Sequence, residues 1–162
     1  MTRVYVSVGS NIEREHNLRS CIRHIKENFW PIALSSVYQT GAIGFEGDDF
    51  YNMTVGFDSA LPVEDVHGIL REIENTHGRE RGKSKSGSRS LDIDLLLFGN
   101  LVRHGGPFDI PRREIVHHAF VLLPLSEIAA DFVHPETGNT IGELWRSFDA
   151  GIEPIRKIEF YF

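Results

Sequence analysis

The segment from residue 92 to residue 98 constrains the fold most strongly, because its sequence D-I-D-L-L-L-F leads directly into Gly99. A short apolar run that ends at a glycine is typical of a buried strand. Side chains two residues apart in a strand face the same side, about 6–7 Å apart along the chain. The pattern therefore predicts that Asp92 and Asp94 point the same way from one end of a buried strand.

Two carboxylates at this spacing favour a bound cation. They repel each other unless a cation lies between them, and Mg²⁺ prefers such oxygen ligands. The loop just upstream carries one acid, Glu80, and five bases, namely Arg79, Arg81, Lys83, Lys85 and Arg89. Acids that could hold a metal beside bases that could hold phosphates indicate a nucleoside triphosphate site. The alternative is a polar strand edge that follows a solvated loop.

The remaining pattern predicts elements in the order β-α-β-β-α-β. Strands are expected over residues 3–8, 32–40, 50–59 and 92–98. A first helix follows from an apolar stripe at helical spacing, formed by Leu18, Cys21, Ile22, Ile25 and Phe29. A second helix is expected from Pro62 to Gly78. This order is typical of an α+β, ferredoxin-like fold, with an antiparallel sheet and two helices packed on one face.

The part of the chain after this core reads as an extension of the same domain. We expect a Gly-rich connection over residues 99–107 and a short helix near 119–130. Ile158, Phe160 and Phe162 alternate in a way that suggests a final strand. No internal repeat or linker interrupts the sequence, so a single domain over residues 1–162 is predicted.

Composition narrows the classes of function. The net charge of −6 gives no reason to expect nucleic acid binding. The single cysteine, Cys21, excludes an internal disulfide, and its place on the apolar stripe makes it a core residue rather than a nucleophile. No apolar run approaches the length of a membrane span, and the first residues enter a strand pattern without a signal peptide. We therefore expect a cytoplasmic protein without nucleic acid or membrane partners. We also predict a monomer or a weak oligomer, which the composition does not decide.

Several ordered motifs carry a resemblance to a known family. The chain has no P-loop, no G-x-G-x-x-G and no kinase H-R-D set, so any ATP chemistry must use side-chain cations and metal. Six segments occur in order: V-G-S-N at 8–11, S-S-V-Y-Q-T at 35–40, F-Y-N at 50–52, I-E-x-x-x-G-R at 73–79, R-S-L-D-I-D-L-L-L-F-G at 89–99, and F-V-L-L-P-L at 120–125. Together they resemble the 6-hydroxymethyl-7,8-dihydropterin pyrophosphokinases of folate synthesis, over residues 4 to 145.

The resemblance implies an activity and its metal site. The family moves the terminal two phosphates of ATP, as one unit, onto the hydroxymethyl oxygen of a reduced pterin and releases AMP. Asp92 and Asp94 match the acids that hold two Mg²⁺ ions, and the arginines at 79, 81 and 89 match positions near the triphosphate. By this resemblance the catalytic residues are Asp92, Asp94, Arg79 and Arg89.

The resemblance also implies the remaining binding residues. Phe50 and Phe120 match the aromatic residues that stack on the pterin, although taken alone they would be assigned to the core. Residues matching those at its edge or over it are Thr40, Asn52 and Ile43. The nucleotide side includes Glu74, Leu95 and Arg112; on sequence alone, Glu74 would be an exposed acid near a helix C-terminus.

The chain departs from the family pattern on the nucleotide side. Ser86 and Ser88 stand where a Trp and a Pro are usual. In the loop on the pterin side, Gly41 stands where a Pro follows the threonine. Arg112 replaces a phosphate-contacting His, and His118 replaces an Arg. Other cations could rebuild that side, since phosphate neutralisation depends on charge more than on residue identity. Alternatively, the chain could act on a different pterin alcohol, or it could be a non-catalytic module that binds a nucleotide, a pterin or RNA.

Overall fold

The computed structural model describes residues 1–41, 47–78, 90–151 and 153–162. Its strands are β1 (Thr2–Ser10), β2 (Ile32–Leu34), β3 (Val37–Thr40), β4 (Phe50–Ser59), β5 (Asp92–Phe98), β6 (Arg103–Gly105), β7 (Phe108–Ile110) and β8 (Ile155–Ile158). Its helices are α1 (Arg14–Asn28), α2 (Val63–Thr76), α3 (Ala119–Ala129) and α4 (Ile141–Arg146), with a short 3₁₀ turn at Arg113–Val116.

The main sheet has the ferredoxin-like topology that the element order predicts. Its strands lie in the order β5-β1-β4-β3-β8, and β2 also pairs with β4. Every pairing in this sheet is antiparallel. The core β1-α1-β3-β4-α2-β5 therefore confirms the predicted α+β class, and β8 adds the C-terminal extension to the sheet edge.

One face of the sheet, called here the helix face, is covered by α1 and α2. Val4, Val6 and Val8 alternate along β1 and are fully buried against the apolar stripe of α1. Cys21 lies in this core with no exposed surface, and burial raises the pKa of its thiol. The prediction that Cys21 is a core residue is confirmed.

The opposite face, called here the cavity face, is covered in part by α3 and α4. Tyr5, Leu96 and Leu97 of the sheet pack there against an apolar cluster that includes Val121, Leu122, Leu125 and Ile141. The expected helix near 119–130 is confirmed as α3, but its packing on a second face was not predicted. The sheet thus has a core on each side, and the part of the cavity face beside α3 remains open.

The expected second strand is divided in two. The chain forms β2 and β3, and Ser35 and Ser36 lie between them. The Ser35 hydroxyl accepts a hydrogen bond from the Thr54 backbone N–H at 2.8 Å, while Ser36 donates its hydroxyl to Glu127 at 2.9 Å. Side-chain bonds from serine compete with regular strand pairing, which explains the interruption.

The extension also differs from expectation in two places. The hairpin β6–β7 begins within the Gly-rich connection and extends past its predicted end at residue 107, and its three-residue strands are too short to give a clear alternation. The final strand lies at Ile155–Ile158, before Phe160 and Phe162, and it pairs with β3. Phe160 instead packs against the helix-face core, edge-on to Tyr51 with ring centroids 6.1 Å apart.

Within the described parts of the chain, no helix combines the length and the apolar character that crossing a membrane requires.

A histidine ties the hairpin to the loop after α3. The His104 Nδ1 lies 2.6 Å from Asp109 Oδ1, and its Nε2 lies 2.9 Å from Glu136 Oε1. Hydrogen bonds to Glu136 and then to Asp109 raise the pKa of His104 above its usual 6.5. A histidine whose pKa is higher in the folded than in the unfolded protein stabilises the fold at pH values below its unfolded-state pKa. This contribution is lost as the pH rises through its folded-state pKa.

We expect His104→Gln, which can still hydrogen-bond but carries no charge, to lower the free energy of unfolding more at about pH 6 than at about pH 9. Urea unfolding of both proteins at the two pH values measures the difference. An equal loss at both values would contradict a charged His104.

Candidate functional site

Strand register places a glycine between the two chemically distinct parts of the site. Gly9 of β1 pairs with Asn52 of β4 on one side and with Asp92 of β5 on the other. Two residues earlier, Ser7 pairs with Thr54 and with Asp94. Neighbouring strands lie 4.7–4.9 Å apart, so the backbone of Asn52 lies about 10 Å from that of Asp92.

A cavity of about 280 Å³ opens above this part of the sheet. It is lined by seven residues that the sequence predicts for the site, namely Thr40, Phe50, Asn52, Asp92, Asp94, Arg112 and Phe120. It is also lined by residues that were not predicted, namely Ser7, Gly9, Gly41, Leu96, Glu114 and Val121. One concave site therefore gathers residues from β1, β3, β4, β5 and α3.

The edge of the cavity toward β3 is polar and ordered by a side-chain hydrogen bond. Asn52 donates its Nδ2 to Thr40 Oγ1 at 2.8 Å, and both residues are buried. This bond orients the amide so that Asn52 Oδ1 lies over Gly9, where a Cβ would approach it to 2.9 Å. The absence of a side chain at Gly9 is thus what leaves room for the Asn52 amide.

The opposite edge of the cavity is acidic. Asp92 and Asp94 lie on the same side of β5 and both line the cavity, as their spacing predicts. Arg112 Nη2 lies 3.5 Å from Asp94 Oδ1, and Arg112 Nε lies 3.2 Å from Glu114 Oε2. Arg112 thus bridges a predicted acid and an unpredicted one.

The donor chemistry of this edge fits Mg²⁺. Asp92 and Asp94 offer hard carboxylate oxygens from a rigid strand, and the side chain of Asp94 is only 20% exposed. Mg²⁺ is commonly held by one or two carboxylates together with substrate phosphates. Within the described residues, no group of three or more His, Cys, Asp or Glu forms a metal site. On the chemistry of their donors, Asp92 and Asp94 are the residues of this edge that could hold magnesium.

Two aromatic residues line the cavity from different elements. Phe50 begins β4, and Phe120 lies in the first turn of α3. Glu127, further along α3, accepts hydrogen bonds from the Tyr38 hydroxyl at 2.5 Å and from Ser36. Burial, and then this bond to Glu127, raise the pKa of Tyr38, so its hydroxyl stays protonated and donates. These contacts fix α3, and with it Phe120, against β3.

Two residues expected on the nucleotide side do not line the cavity. Glu74 is only 1% exposed and lies on the helix face, where its Oε2 accepts the Ile93 backbone N–H at 2.8 Å and its Oε1 pairs with Arg71. The prediction that Glu74 is an exposed acid is wrong, because the end of α2 packs against β5. Leu95 also packs into the helix-face core, so only its backbone could reach a ligand above the opposite face.

Four predicted site residues lie outside the residues that the structure describes. They are Ile43, Arg79, Arg81 and Arg89, and the same holds for Ser86 and Ser88. Their roles stay predictions from the resemblance.

Two of the six unpredicted cavity residues, Gly9 and Glu114, make contacts that shape the site. Gly9 lies in the V-G-S-N motif at 8–11, where a residue without a side chain is a signal for close approach. Glu114 lies two residues after Arg112, in a stretch for which the sequence predicts neither a helix nor a strand. The direction of its side chain could therefore not be derived from the spacing. Its role becomes visible only from its contact with the guanidinium group.

The fold and the cavity define a class of protein. It is a ferredoxin-like α+β protein whose sheet holds paired carboxylates at one end of a concave site and an amide, a hydroxyl and two aromatic rings at the other. Such a site suits a flat polar ligand next to a metal-bound anion.

The chain belongs to the 7,8-dihydro-6-hydroxymethylpterin-pyrophosphokinase (HPPK) family, whose model matches residues 5–130. It is 31% identical over 152 residues to the 2-amino-4-hydroxy-6-hydroxymethyldihydropteridine pyrophosphokinase of Haemophilus influenzae, covering 91% of this chain and 94% of that protein. It is 32% identical over 160 residues to the protein of the same name from Methylorubrum extorquens, covering 96% and 99%. The predicted family is confirmed.

Other relatives are much longer. The chain is 30% identical over 134 residues to the folic acid synthesis protein FOL1 of Dictyostelium discoideum, but these cover 82% of the chain and only 20% of that protein. A Plasmodium falciparum HPPK-DHPS crystal structure matches with a TM-score of 0.68 at 14% identity, over 90% of this chain and 43% of that one. The chain thus spans less than half the length of these two proteins, and the structural match supports the fold alone.

The position of Gly9 gives a test of the cavity. We expect Gly9→Ala to displace the Asn52 amide, because the new Cβ would lie 2.9 Å from Asn52 Oδ1. Loss of one or two buried hydrogen bonds should weaken binding of the reduced hydroxymethylpterin about tenfold, as measured by pterin fluorescence.

The matched control is Gly68→Ala on α2, where no described atom lies within 4 Å of the added Cβ. This change should stabilise the protein by about 0.5–1 kcal/mol and leave pterin affinity unchanged. Wild-type pterin affinity in Gly9→Ala would contradict the role given to Gly9.

Glu74 gives a second test. We expect Glu74→Ala to lower the free energy of unfolding by about 1–3 kcal/mol, because it leaves the Ile93 N–H buried without its acceptor. Glu74→Gln keeps an acceptor oxygen and should cost less. If Glu74→Gln instead weakened ATP binding while stability stayed constant, Glu74 would be a nucleotide ligand rather than a link between α2 and β5.

Proposed function

We propose that this chain transfers the terminal two phosphates of ATP, as one unit, to the hydroxymethyl group of 6-hydroxymethyl-7,8-dihydropterin and releases AMP, a step of folate biosynthesis. One observation carries this proposal. Asn52, Gly9 and Asp92 lie side by side on three adjacent strands, and because Gly9 has no side chain, all three line one continuous cavity. Family membership and the names of the two bacterial relatives of matching length support the same reaction.

The end of the cavity near β3 suits the pterin. Its flat ring would stack between Phe50 and Phe120, and its polar edge would hydrogen-bond to Asn52 and Thr40. The Asn52–Thr40 bond uses one donor of the amide and leaves its carbonyl oxygen for the ligand. Ile43 is proposed as a further contact with the pterin from the resemblance alone.

The acidic end suits the metal and the phosphates. Asp92 and Asp94 would hold magnesium, and we propose two ions, as the family resemblance implies. Magnesium bound there would neutralise phosphate charge and favour loss of the hydroxyl proton. Arg112 lies at the cavity edge, where it contacts Asp94, and its other N–H groups would donate to phosphate oxygens. Arg79, Arg81 and Arg89 are proposed to contact the triphosphate.

The step itself is a displacement at the β-phosphorus. The hydroxymethyl oxygen forms the new bond to this phosphorus, and the bond from phosphorus to the oxygen that bridges the α- and β-phosphates breaks. AMP leaves with that oxygen, and the hydroxyl proton passes to solvent. Such a transfer needs positioning and charge stabilisation more than covalent chemistry, which matches a site built from a rigid sheet.

The nucleotide, the alternative functions and the state of the protein in the cell complete the proposal. ATP is the co-substrate of this family's reaction, while Glu74 and Leu95 could act on the nucleotide only indirectly or through backbone atoms. No comparison favours a different pterin alcohol or a non-catalytic module. A single domain over residues 1–162, a monomer or weak oligomer, a cytoplasmic location and the absence of nucleic acid or membrane partners stay predictions.

We expect the protein to form AMP, and no ADP, from ATP in the presence of Mg²⁺ and the reduced hydroxymethylpterin. Asp92→Asn and Asp94→Asn should each lower kcat about a thousandfold, since a catalytic metal supplies several kcal/mol of transition-state stabilisation. Chromatography of the nucleotide products measures both results.

The control is Asp58→Asn, an exposed acid on β4 that pairs with Arg3 away from the cavity. Its activity should equal that of the wild type. Formation of ADP, or full activity in Asp92→Asn, would contradict the proposed reaction.

A further inference from the structure

The C-terminal extension reaches the aromatic wall of the cavity through one glutamate. Glu153 lies between α4 and β8, and its Oε2 accepts the backbone N–H of Ala119 at 3.2 Å. Its other oxygen, Oε1, lies 2.8 Å from His118 Nδ1. Because a carboxylate only accepts hydrogen bonds, Nδ1 carries the proton and donates it.

These contacts complete the first turn of α3. The first backbone N–H groups of a helix have no partner within the helix, and Ser, Thr, Asp or Asn at the N-cap usually provides one. In α3 the N-cap is His118, which is not one of these residues. The Glu153 carboxylate fills that role from a distant segment, and its negative charge suits the positive end of the helix dipole.

The same turn carries the stacking residue Phe120. The imidazole of His118 stacks on the Phe120 ring, with centroids 5.0 Å apart and an interplanar angle of 29°. Phe120 lines the cavity. Glu153 therefore contacts His118, and His118 in turn contacts Phe120 in the wall of the cavity.

The strand that follows Glu153, β8, pairs with β3 at the hydrogen-bonding edge of the cavity. Ile155, two residues further on, pairs with Thr40 in the β8–β3 ladder. Thr40 lines the cavity and holds Asn52. The segment 153–155 thus connects the hydrogen-bonding edge of the cavity to its aromatic wall, and it lies beyond residues 5–130, which the family model matches.

We propose that Glu153 is a positioning residue for the pterin, which sets the place of Phe120 through His118 and the first turn of α3. This inference rests on the proposed function, because it takes the ligand between Phe50 and Phe120 to be a pterin. Glu153 acts on the binding of the heterocycle and leaves the acidic end, with Asp92 and Asp94, unchanged.

Binding measurements separate this role from a general effect on stability. We expect Glu153→Ala to raise the dissociation constant of the reduced hydroxymethylpterin about tenfold, because Phe120 would lose the contacts that hold it in the stacking position. The dissociation constant of a non-hydrolysable ATP analogue with Mg²⁺ should change by less than about twofold. Glu153→Gln keeps one acceptor oxygen, which can serve only one of the two donors at Ala119 and His118, so it should recover part of the lost affinity.

The matched control is Glu136→Ala. Glu136 also accepts from a histidine, His104, but it lies between α3 and α4 and does not line the cavity. Glu136→Ala should leave the affinities for the pterin and for the ATP analogue unchanged. His118→Phe keeps an aromatic ring for Phe120 but loses the bond to Glu153, so its pterin affinity should lie between those of Glu153→Ala and the wild type.

The outcomes distinguish this inference from the proposed function. If the wild-type protein binds no pterin, the proposed function fails. If the wild type binds pterin and Glu153→Ala binds it equally well, or if pterin and ATP affinities fall together, the positioning role of Glu153 is wrong. A selective loss of pterin affinity in Glu153→Ala that is smaller in Glu153→Gln supports it.

Discussion

The pairing of Gly9 with Asn52 on one side and Asp92 on the other is the constraint on which the site depends. These three residues lie on adjacent strands, so their separation is set by backbone hydrogen bonds rather than by flexible loops. Any side chain at Gly9 would fill the space above the sheet and meet the Asn52 amide first. The absent side chain therefore makes the cavity, and the fixed strand spacing sets how far the acids lie from the polar edge.

The helix face holds this register in place. A one-residue slip in a strand exchanges its two faces, which here would turn buried valines of β1 outward and bury Ser7 and Gly9 among α1 and α2. The edge strand β5 needs further support, because its outer side has no neighbouring strand in the described sheet. Glu74 supplies it by accepting the Ile93 N–H, directly between Asp92 and Asp94. A residue on the opposite face thus steadies the two acids without touching the cavity.

The sequence predicted those parts of the fold and site that depend on local pattern. Alternation along residues 92–98 placed both aspartates on one face, and β4 and β5 were expected at their observed bounds. Features that depend on distant pairing were not accessible, such as Asn52 opposite Gly9 or Glu153 at the start of α3. Glu74 was misjudged for the same reason, since helical spacing gives a residue's direction but not which strand covers it. Roles assigned to Ile43 and to the arginines at 79, 81 and 89 rest on the resemblance.

The departures at Arg112 and His118 have different physical meanings. Arg112 adds a cation beside Asp94, but Glu114 offsets part of that charge, so this end of the cavity still carries more acids than bases among the residues that line it. His118 is drawn away from that end, because its Nδ1 is bonded to Glu153 and its ring lies against Phe120. The side chain at position 118 therefore contacts the aromatic wall of the cavity rather than its acidic end.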